Sequence, residues 1–502
     1  MITASSPLRM DLHTTYFTIT FLCLAVGVAL AFEFVNGFHD TANAVATVIY
    51  THTLKPTPAV VWSGLWNLIG VMTSSGAVAF GVINLLPVEL VLNVGTTAGF
   101  AMVFSLLISA IAWNLGTWYL GLPASSSHTL VGSIIGVGLA NSIMGPAHSI
   151  SEGVNWTKAL EVCLGLLVSP LIGFLGAAAL LLLAKKFLPK PELYRSPDGP
   201  KPPPKWIRGL LLFTCTGVSF AHGSNDGQKG MGLIMLILVG IIPGTYALNP
   251  HAGHEAIAKI EQAATVLVSD FEEDEHGLSI HGKKAREILS LYIKSSGEFS
   301  PEVAAATSGL SQEIHQRVRG LQSLSEIAPA KRGELRTDMY LVSHAIVKMD
   351  RHGLLDEEPE VSAMERQMAE ASNNLVNFIP LWVKVAVAVS LGLGTMVGYQ
   401  RIVKTVGERI GKQHLSYAQG ASAEAMAMGT IVIGDHFGLP VSTTHVLSSG
   451  VAGTMAANRS GVQMETVRSI LMAWVLTLPV CTFLGAMLFA LILNLMGLSG
   501  LK

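Results

Sequence analysis

Nine apolar stretches of this 502-residue sequence approach or exceed the length needed to cross the roughly 30 Å hydrocarbon core of a bilayer. Half of all residues are hydrophobic and only 13% are charged, which is atypical of a soluble protein of this size. We therefore predict an all-α polytopic membrane protein, because helices satisfy their backbone hydrogen bonds within lipid. The stretches lie near residues 15–35, 58–83, 97–121, 123–145, 160–184, 209–247, 378–398, 420–437 and 468–497.

The first apolar stretch ends in Ala29-Leu30-Ala31, a pattern that also fits a signal-peptide cleavage site. Its flank offers only Arg9 as a positive charge, and Asp11 offsets that charge. Apolar character resumes beyond the polar cluster at 36–43. We therefore expect an uncleaved first membrane helix.

Charged residues are concentrated in residues 249–376, which carry 34 of the 66 Asp, Glu, Lys and Arg residues. This composition predicts a polar, acidic and helical insertion. Basic residues crowd the connections at 185–208 and 401–412, which should face the cytoplasm and leave the insertion in the periplasm. The predicted organisation is a first membrane repeat (1–190), a basic Pro-rich cytoplasmic linker (191–208), the start of a second membrane repeat (209–248), the insertion (249–376) and the remainder of the second repeat (377–502).

Two classes of partner or site are disfavoured by composition. The net charge of −2 argues against nucleic-acid binding through a basic surface. The four cysteines stand singly in apolar stretches, so they indicate neither disulfides nor a cysteine metal site.

Internal duplication is the strongest organisational signal. Gly-Leu-Pro-Ala-Ser-Ser-Ser-His-Thr-Leu at 121–130 recurs as Gly-Leu-Pro-Val-Ser-Thr-Thr-His-Val-Leu at 438–447, and residues 37–44 match 223–230 more weakly. The polar run 222–230 is predicted to interrupt the long apolar stretch around it. With the orientation argument, this pattern favours two inverted repeats with broken helices and re-entrant Ser/Thr hairpin tips, a plan typical of secondary transporters.

The duplicated Ser/Thr elements have the chemistry of an anion site. Proline suits the first turn of a helix, the hydroxyls can cap it, and the helix start presents unpaired N–H groups. A Ser/Thr row alone more often bonds neighbouring helices, but repetition with Gly, Pro and His favours binding of a tetrahedral oxyanion. The predicted substrate ligands of this group are Ser125, Ser126, Ser127, Ser442, Thr443 and Thr444.

Asp40 and Asp226, with Asn43 and Asn225 beside them, complete the predicted substrate site. Carboxylate acceptors suit an anion site only if the substrate carries a proton or travels with a cation. A purely structural pair between Asp226 and Lys229, three residues apart, is the alternative. The candidates for coupling-ion or proton binding are Asp40, Asp226, His39 and Glu424, and no particular metal ligand set is predicted.

These motifs resemble the inorganic phosphate transporter (PiT) family, in particular its bacterial low-affinity branch. The likeness covers nearly the whole chain, including Trp474-Val-Leu-Thr-Leu-Pro479, and only the insertion is uninformative. It implies symport of phosphate across the bacterial inner membrane, as a neutral complex with a divalent metal such as Mg or Zn, together with a proton. No resident cofactor is implied, and a homodimer is left open. The sequence departs from much of the family at His39, where sodium-coupled members have Asn, so proton coupling is favoured.

Three other readings stay open. One is a permease for sulfate or another tetrahedral oxyanion. Another is a membrane-embedded phosphatase or transferase, for which Ser125 with His128, or Ser442 with His445, offers the residue types. A duplicated active site would be unexpected for one enzyme. A receptor with the insertion as its ligand domain is the third reading.

Overall fold

The structure is a computed structural model that describes residues 12–86, 91, 96–144, 153–197, 199, 201–274, 278–294, 297–355 and 359–498. Arg9 and Asp11, which flank the predicted first helix, lie outside these ranges. Within them the secondary structure is helical, with no strand beyond one isolated bridge between Gly411 and Val462. The all-α prediction is therefore confirmed. The helices are α1 (Leu12–Asp40), α2 (Ala42–Tyr50), α3 (Pro56–Thr73), α4 (Ala77–Ile83), α5 (Thr97–Tyr119), α6 (Ser126–Met144), α7 (Trp156–Phe187), α8 (Lys205–Ile241), α9 (Pro243–Tyr246), α10 (His254–Asp274), α11 (Gly282–Tyr292), α12 (Pro301–Val318), α13 (Pro329–Arg351), α14 (Pro359–Val376), α15 (Leu381–Thr395), α16 (Gln400–Lys404), α17 (Tyr417–His436), α18 (Thr443–Ala457) and α19 (Met464–Leu498).

Five helical segments of the described chain are long and apolar enough to cross a membrane, and seven are if each sharply bent pair counts as one span. The bent pairs are α3 with α4, at 78°, and α14 with α15, at 67°. The pair α3 and α4 is therefore a broken helix within a predicted membrane stretch, whereas α14 belongs to the insertion and only α15 lies in a predicted membrane stretch. Inversion of the two repeats stays a prediction.

The prediction that the polar run 222–230 interrupts its helix is wrong. Helix α8 continues without a break from Lys205 to Ile241. Its backbone groups therefore bond within the helix, and the polar side chains of the run are buried against other helices instead of lipid.

Glycines of the weakly matching segments 37–44 and 223–230 allow two equivalent helix crossings, one in each repeat. Helix α1 packs on α15, and α8 packs on α3. A Cβ at Gly37 would lie 2.3 Å from the Leu391 carbonyl oxygen, and one at Gly223 would lie 2.1 Å from the Asn67 carbonyl oxygen. Only glycine permits backbones to approach so closely, as in other membrane helix pairs. Gly37 and Gly223 therefore set the positions of Asp40 and Asp226, each three residues further along its helix.

Equivalent glycine crossings also follow the two Ser/Thr tips. Helix α6 packs on α19, and α18 packs on α7, so each helix that follows a Ser/Thr tip contacts the long helix that follows the other tip. A Cβ at Gly136 would lie 2.0 Å from the Thr482 carbonyl oxygen, and one at Gly453 would lie 2.1 Å from that of Phe174. These crossings bring the two tips together.

Helices α10 to α14 share a hydrophobic core of their own, formed mainly by Leu, Ile, Val and Ala side chains. Asp338 is buried at the edge of this core and accepts hydrogen bonds from Arg286 Nε at 2.6 Å and Arg317 Nη1 at 2.7 Å. The insertion is thus a packed helical unit, and none of the contacts that form the site described below comes from it.

Candidate substrate site

Four chain segments converge on one buried cluster. Helix α1 ends at Asp40, α6 begins at Ser126, α18 begins at Thr443, and the middle of α8 supplies Asp226. Each of these four residues is no more than 2% exposed. Residues of both sequence repeats therefore meet at one place.

The two tips have the same capping geometry. Ser125 Oγ accepts a hydrogen bond from the backbone N–H of His128 at 3.2 Å, and Ser442 Oγ accepts one from the backbone N–H of His445, also at 3.2 Å. The imidazole rings of His128 and His445 contact each other instead, with centroids 4.4 Å apart. Neither serine is hydrogen-bonded to the histidine ring of its own motif, so the nucleophile and base pair of a phosphatase is not formed.

The carboxylate of Asp40 lies at both helix starts. Its Oδ1 accepts from Thr444 Oγ1 at 2.5 Å, and its Oδ2 accepts from Ser126 Oγ at 3.2 Å and from Thr443 Oγ1 at 3.4 Å. A helix start with hydroxyl groups favours a bound oxyanion. Asp40 thus occupies the position where the sequence predicts the oxyanion of a substrate.

Asp226 joins this cluster from α8. Ser126 Oγ also lies 3.3 Å from Asp226 Oδ2, so one hydroxyl is shared between the two carboxylates. The fully buried Lys229 donates to Asp226 Oδ1 and to Ser127 Oγ, both at 2.6 Å. The predicted pair of Asp226 and Lys229 exists, and it lies within the site, not apart from it.

Both asparagines contact the second tip, residues 438–447. Asn43 Nδ2 donates to Thr444 Oγ1 at 3.0 Å, and Asn225 Nδ2 donates to the Leu439 carbonyl oxygen at 3.3 Å. The side-chain oxygen of each asparagine is buried and has no hydrogen-bond partner among the described residues. Each can therefore accept one further bond from a proton donor or a cation.

His222 faces both carboxylates. Its Nδ1 lies 2.8 Å from Asn67 Oδ1, and Asn67 Nδ2 donates to Thr395 Oγ1 at 3.1 Å, which leaves Asn67 Oδ1 as the acceptor. His222 Nδ1 therefore carries the proton, and Nε2 presents a lone pair when the ring is neutral. This Nε2 lies 3.7 Å from Asp40 Oδ2 and 3.6 Å from Asp226 Oδ2.

Asp40, His222 and Asp226 form the one group of three potential metal ligands within the described ranges, with ligand atoms within 4.8 Å of one another. Two carboxylates and a neutral imidazole are a donor set that suits a divalent cation. His222 adjoins a motif in the sequence but is absent from the predicted ligands, and Asn67, which orients it, is not predicted at all. The one sequence feature that could have indicated His222 and Asn67 is that each is a polar residue inside an otherwise apolar stretch.

His39 has two contacts. Its Nδ1 lies 3.4 Å from Asp40 Oδ1, and its Nε2 lies 3.1 Å from Thr117 Oγ1. The Thr117 hydroxyl is within donating distance of the Trp113 carbonyl oxygen at 3.0 Å, so it can accept from His39 Nε2. His39 therefore borders the site and is held by a residue of α5.

Glu424 is not part of this cluster. It accepts from Thr214 Oγ1 at 2.5 Å, and Thr214 lies twelve residues before Asp226 on α8, or about 18 Å along the helix axis. Gln228 also points elsewhere, because its amide nitrogen donates to Asp435. Ser125 and Ser442 cap the two helix starts of the cluster, whereas Glu424 lies away from it.

The chain is similar to known phosphate transporters over most of its length. Residues 36–485 match the family described as "Phosphate transporter family". The chain is 39% identical to the low-affinity inorganic phosphate transporter PitA of Escherichia coli (strain K12), over 97% of this chain and 98% of that protein. It is 38% identical to PitB of the same strain, over 94% and 97% respectively. The probable low-affinity inorganic phosphate transporter of Bacillus subtilis (strain 168) is 27% identical, over 94% and 97%.

A solved structure, titled "The sodium-dependent phosphate transporter", has a similar fold. The TM-score is 0.50 at 19% identity, and the match covers 94% of this chain and 98% of that one. The matching family and these relatives are phosphate transporters, not enzymes, and the described chain has several helices of membrane-spanning type. The chain belongs to the phosphate transporter family.

Proposed function

We propose that the protein is a secondary active symporter that imports inorganic phosphate as a neutral complex of hydrogen phosphate with a divalent metal, together with a proton, across the bacterial inner membrane. The observation that carries this proposal is the pair of carboxylates, Asp40 and Asp226, that share the Ser126 hydroxyl at the meeting point of two helix starts.

Electrostatics is the first argument for a co-transported cation. The cluster holds two carboxylates and one ammonium group, that of Lys229. A phosphate dianion placed against Asp40 and Asp226 would be repelled at low dielectric, and burial of uncompensated charge is expensive. A divalent cation or a proton between the substrate and the carboxylates removes this repulsion. Uptake of the anion without a cation is therefore disfavoured.

The second argument is the donor set. Asp40, His222 and Asp226 would hold the cation, since their ligand atoms are close enough for one ion to contact all three. Mg²⁺ would use mainly the carboxylate oxygens and retain water, whereas Zn²⁺ would also use the imidazole nitrogen. The metal here is part of the cargo, so it must be released with phosphate.

Phosphate itself would be bound by the two tips. Ser126, Ser127, Thr443 and Thr444 supply hydroxyl groups, and the first turns of α6 and α18 supply N–H groups. Hydrogen phosphate can also donate its proton to a carboxylate, which sulfate cannot do at neutral pH. This difference favours phosphate over sulfate.

Phosphate counterflow in proteoliposomes tests the proposal. We expect exchange to require a divalent metal, a pH gradient to drive net uptake, and sodium to have no effect. Sulfate at equal concentration should compete weakly. Metal-independent exchange would contradict the complexed substrate, and uptake driven by sodium at equal pH would contradict proton coupling.

A further inference from the structure

One buried carboxyl group near the site has no role in the arrangement described so far. Glu33 lies on α1, seven residues before Asp40, so the two side chains share one face of the helix about two turns, or ~10 Å, apart. Glu33 is fully buried. A carboxyl group at this depth in a membrane helix is costly and is a functional hypothesis by default.

The carboxyl group of Glu33 lies against the backbone of α8. A Cβ built on Gly230 would lie 2.3 Å from Glu33 Cγ and 2.5 Å from Glu33 Oε1. Gly230 directly follows Lys229, whose ammonium group bonds Asp226 and Ser127. The residue of α8 that Glu33 contacts is therefore the direct neighbour of Lys229, the only lysine of the substrate site.

Hydrogen bonds do not stabilise an ionised form of Glu33. Its Oε2 receives one long contact from Asn36 Nδ2 at 3.4 Å. Its Oε1 and Asn36 Oδ1 have no hydrogen-bond partner in the part of the chain that the structure describes. Because a carboxylate needs donors when it is buried, this environment favours the neutral acid, whose O–H is itself a donor.

The charged groups around Glu33 come from few elements. Helix α1 packs against α5, α8 and α15, and contacts α2 at its end. Helices α2 and α5 carry no acidic, basic or histidine side chain, and α15 carries only Lys384, which donates to the Ser74 carbonyl oxygen at 2.9 Å. From α8 the facing groups are those of the substrate site: His222, Asp226 and Lys229. Helix α1 itself adds His39 and Asp40.

We propose that Glu33 Oε1 binds the coupling proton of transport. The inference rests on the proposed proton symport and adds the residue that carries the proton. Glu33 takes a proton from water on the side where phosphate is loaded and releases it to water on the other side, with no other bond made or broken. Lys229 couples proton binding at Glu33 to substrate binding. Its ammonium group bonds Asp226 and Ser127 of the substrate site, and its chain neighbour Gly230 contacts Glu33, so a change in those bonds alters the positive charge near Glu33.

Glu33→Gln is the test variant, because Gln has nearly the same shape but cannot release a proton. Wild type and variant are reconstituted into proteoliposomes with radiolabelled phosphate and Mg²⁺. We expect the variant to retain phosphate exchange at equal pH and to lose the stimulation of net uptake by a pH gradient. Lys384→Met, which removes the only charge of α15, is the matched control and should retain that stimulation.

An infrared measurement gives a readout that does not depend on transport. In the C=O stretch region of protonated carboxylic acids, the wild-type protein at neutral pH should show one component that is missing in Glu33→Gln. If Glu33→Gln does not reach the membrane, Glu33→Asp replaces it: this variant should keep gradient-driven uptake with a shifted pH profile and a shifted infrared band.

The outcomes separate this inference from the proposed function. If wild type shows no response to a pH gradient, proton symport itself is wrong. If wild type responds and Glu33→Gln responds equally, the assignment to Glu33 is overturned. It is also overturned if Glu424→Gln loses the response and Glu33→Gln does not, or if the infrared band and pH profile of Glu33→Asp equal those of wild type.

Discussion

Lys229→Met tests how the buried pair with Asp226 contributes to stability and transport. The ammonium group is fully buried and bonds Asp226 Oδ1 and Ser127 Oγ, both at 2.6 Å. Met keeps the unbranched apolar stem but leaves the Asp226 carboxylate without its cation. Removing one partner of a buried pair costs about 3–5 kcal/mol. At about 1.4 kcal/mol per factor of ten, the ratio of folded to unfolded protein should fall by roughly two to four powers of ten.

The double variant Lys229→Met with Asp226→Asn separates structure from function. It leaves no unpaired charge at these two positions, so it should recover most of the lost stability. If Asp226 binds the cargo cation, phosphate transport should nevertheless stay absent. If Asp226 and Lys229 are only a structural pair, transport should return together with stability.

Thermal unfolding in detergent measures stability, and phosphate counterflow measures transport at equal amounts of reconstituted protein. Lys384→Met is the matched control, because it also removes a lysine from a membrane helix but lies outside the substrate site. It should leave counterflow intact. A Lys229→Met protein as stable as wild type would refute the energetic argument, and an active double variant would refute a transport role for Asp226.

Further predictions concern the site and the insertion. Asp40→Asn should abolish uptake while the protein still reaches the membrane, measured by counterflow and surface labelling. Thr444→Val keeps the side-chain shape but removes the hydroxyl that bonds Asp40 and Asn43, and should weaken phosphate affinity by about 1.5–3 kcal/mol; a lowered maximal rate at unchanged affinity would indicate a gating role instead. Replacing residues 255–370 with a flexible linker should preserve gradient-driven uptake, whereas a correctly inserted but inactive protein would place the insertion in the transport path. Burial lowers the pKa of His344 in the insertion to about 4, so the unfolded chain binds this proton more tightly and stability should fall as pH decreases from about 6.5 to 4. The loss should be at most about 3 kcal/mol because the ring is partly exposed, and thermal unfolding of His344→Phe should show a smaller pH dependence.

Local chemistry in the sequence was sufficient to predict the tips. The Ser followed by two hydroxyl residues and His predicts a capped helix start, and the structure begins α6 at Ser126 and α18 at Thr443. The expected place of the prolines is wrong, because Pro123 and Pro440 precede the capping serines and lie outside the first helical turns. Capping depends on residues three apart, so a short motif contains all the information required. Repetition of the motif then predicted that two such starts belong together.

The continuity of α8 and the orientation of His222 could not be predicted in the same way. Whether a polar run breaks a membrane helix depends on what covers it, and the cover of residues 222–230 comes from distant segments such as α3. Asn67 lies 155 residues from His222, and neither residue has a local pattern that predicts their contact. The glycine crossings are a partial exception. Gly37 and Gly223 occupy equivalent repeat positions, and small residues repeated in membrane helices indicate close packing.

On the proposed function, the position of Asp40 gives a physical reason why phosphate binding is coupled to cation binding. Its carboxylate already accepts the hydroxyl groups of Thr444, Ser126 and Thr443, which are the groups that would bind phosphate. Phosphate and the bare carboxylate therefore compete for the same donors. A cation that binds Asp40 draws the carboxylate away from the hydroxyls and offsets the repulsion, so it raises phosphate affinity, and by linkage phosphate raises cation affinity by the same factor. Cargo anion and cargo cation then bind cooperatively, and such cooperative binding is what couples the two ions in a symporter.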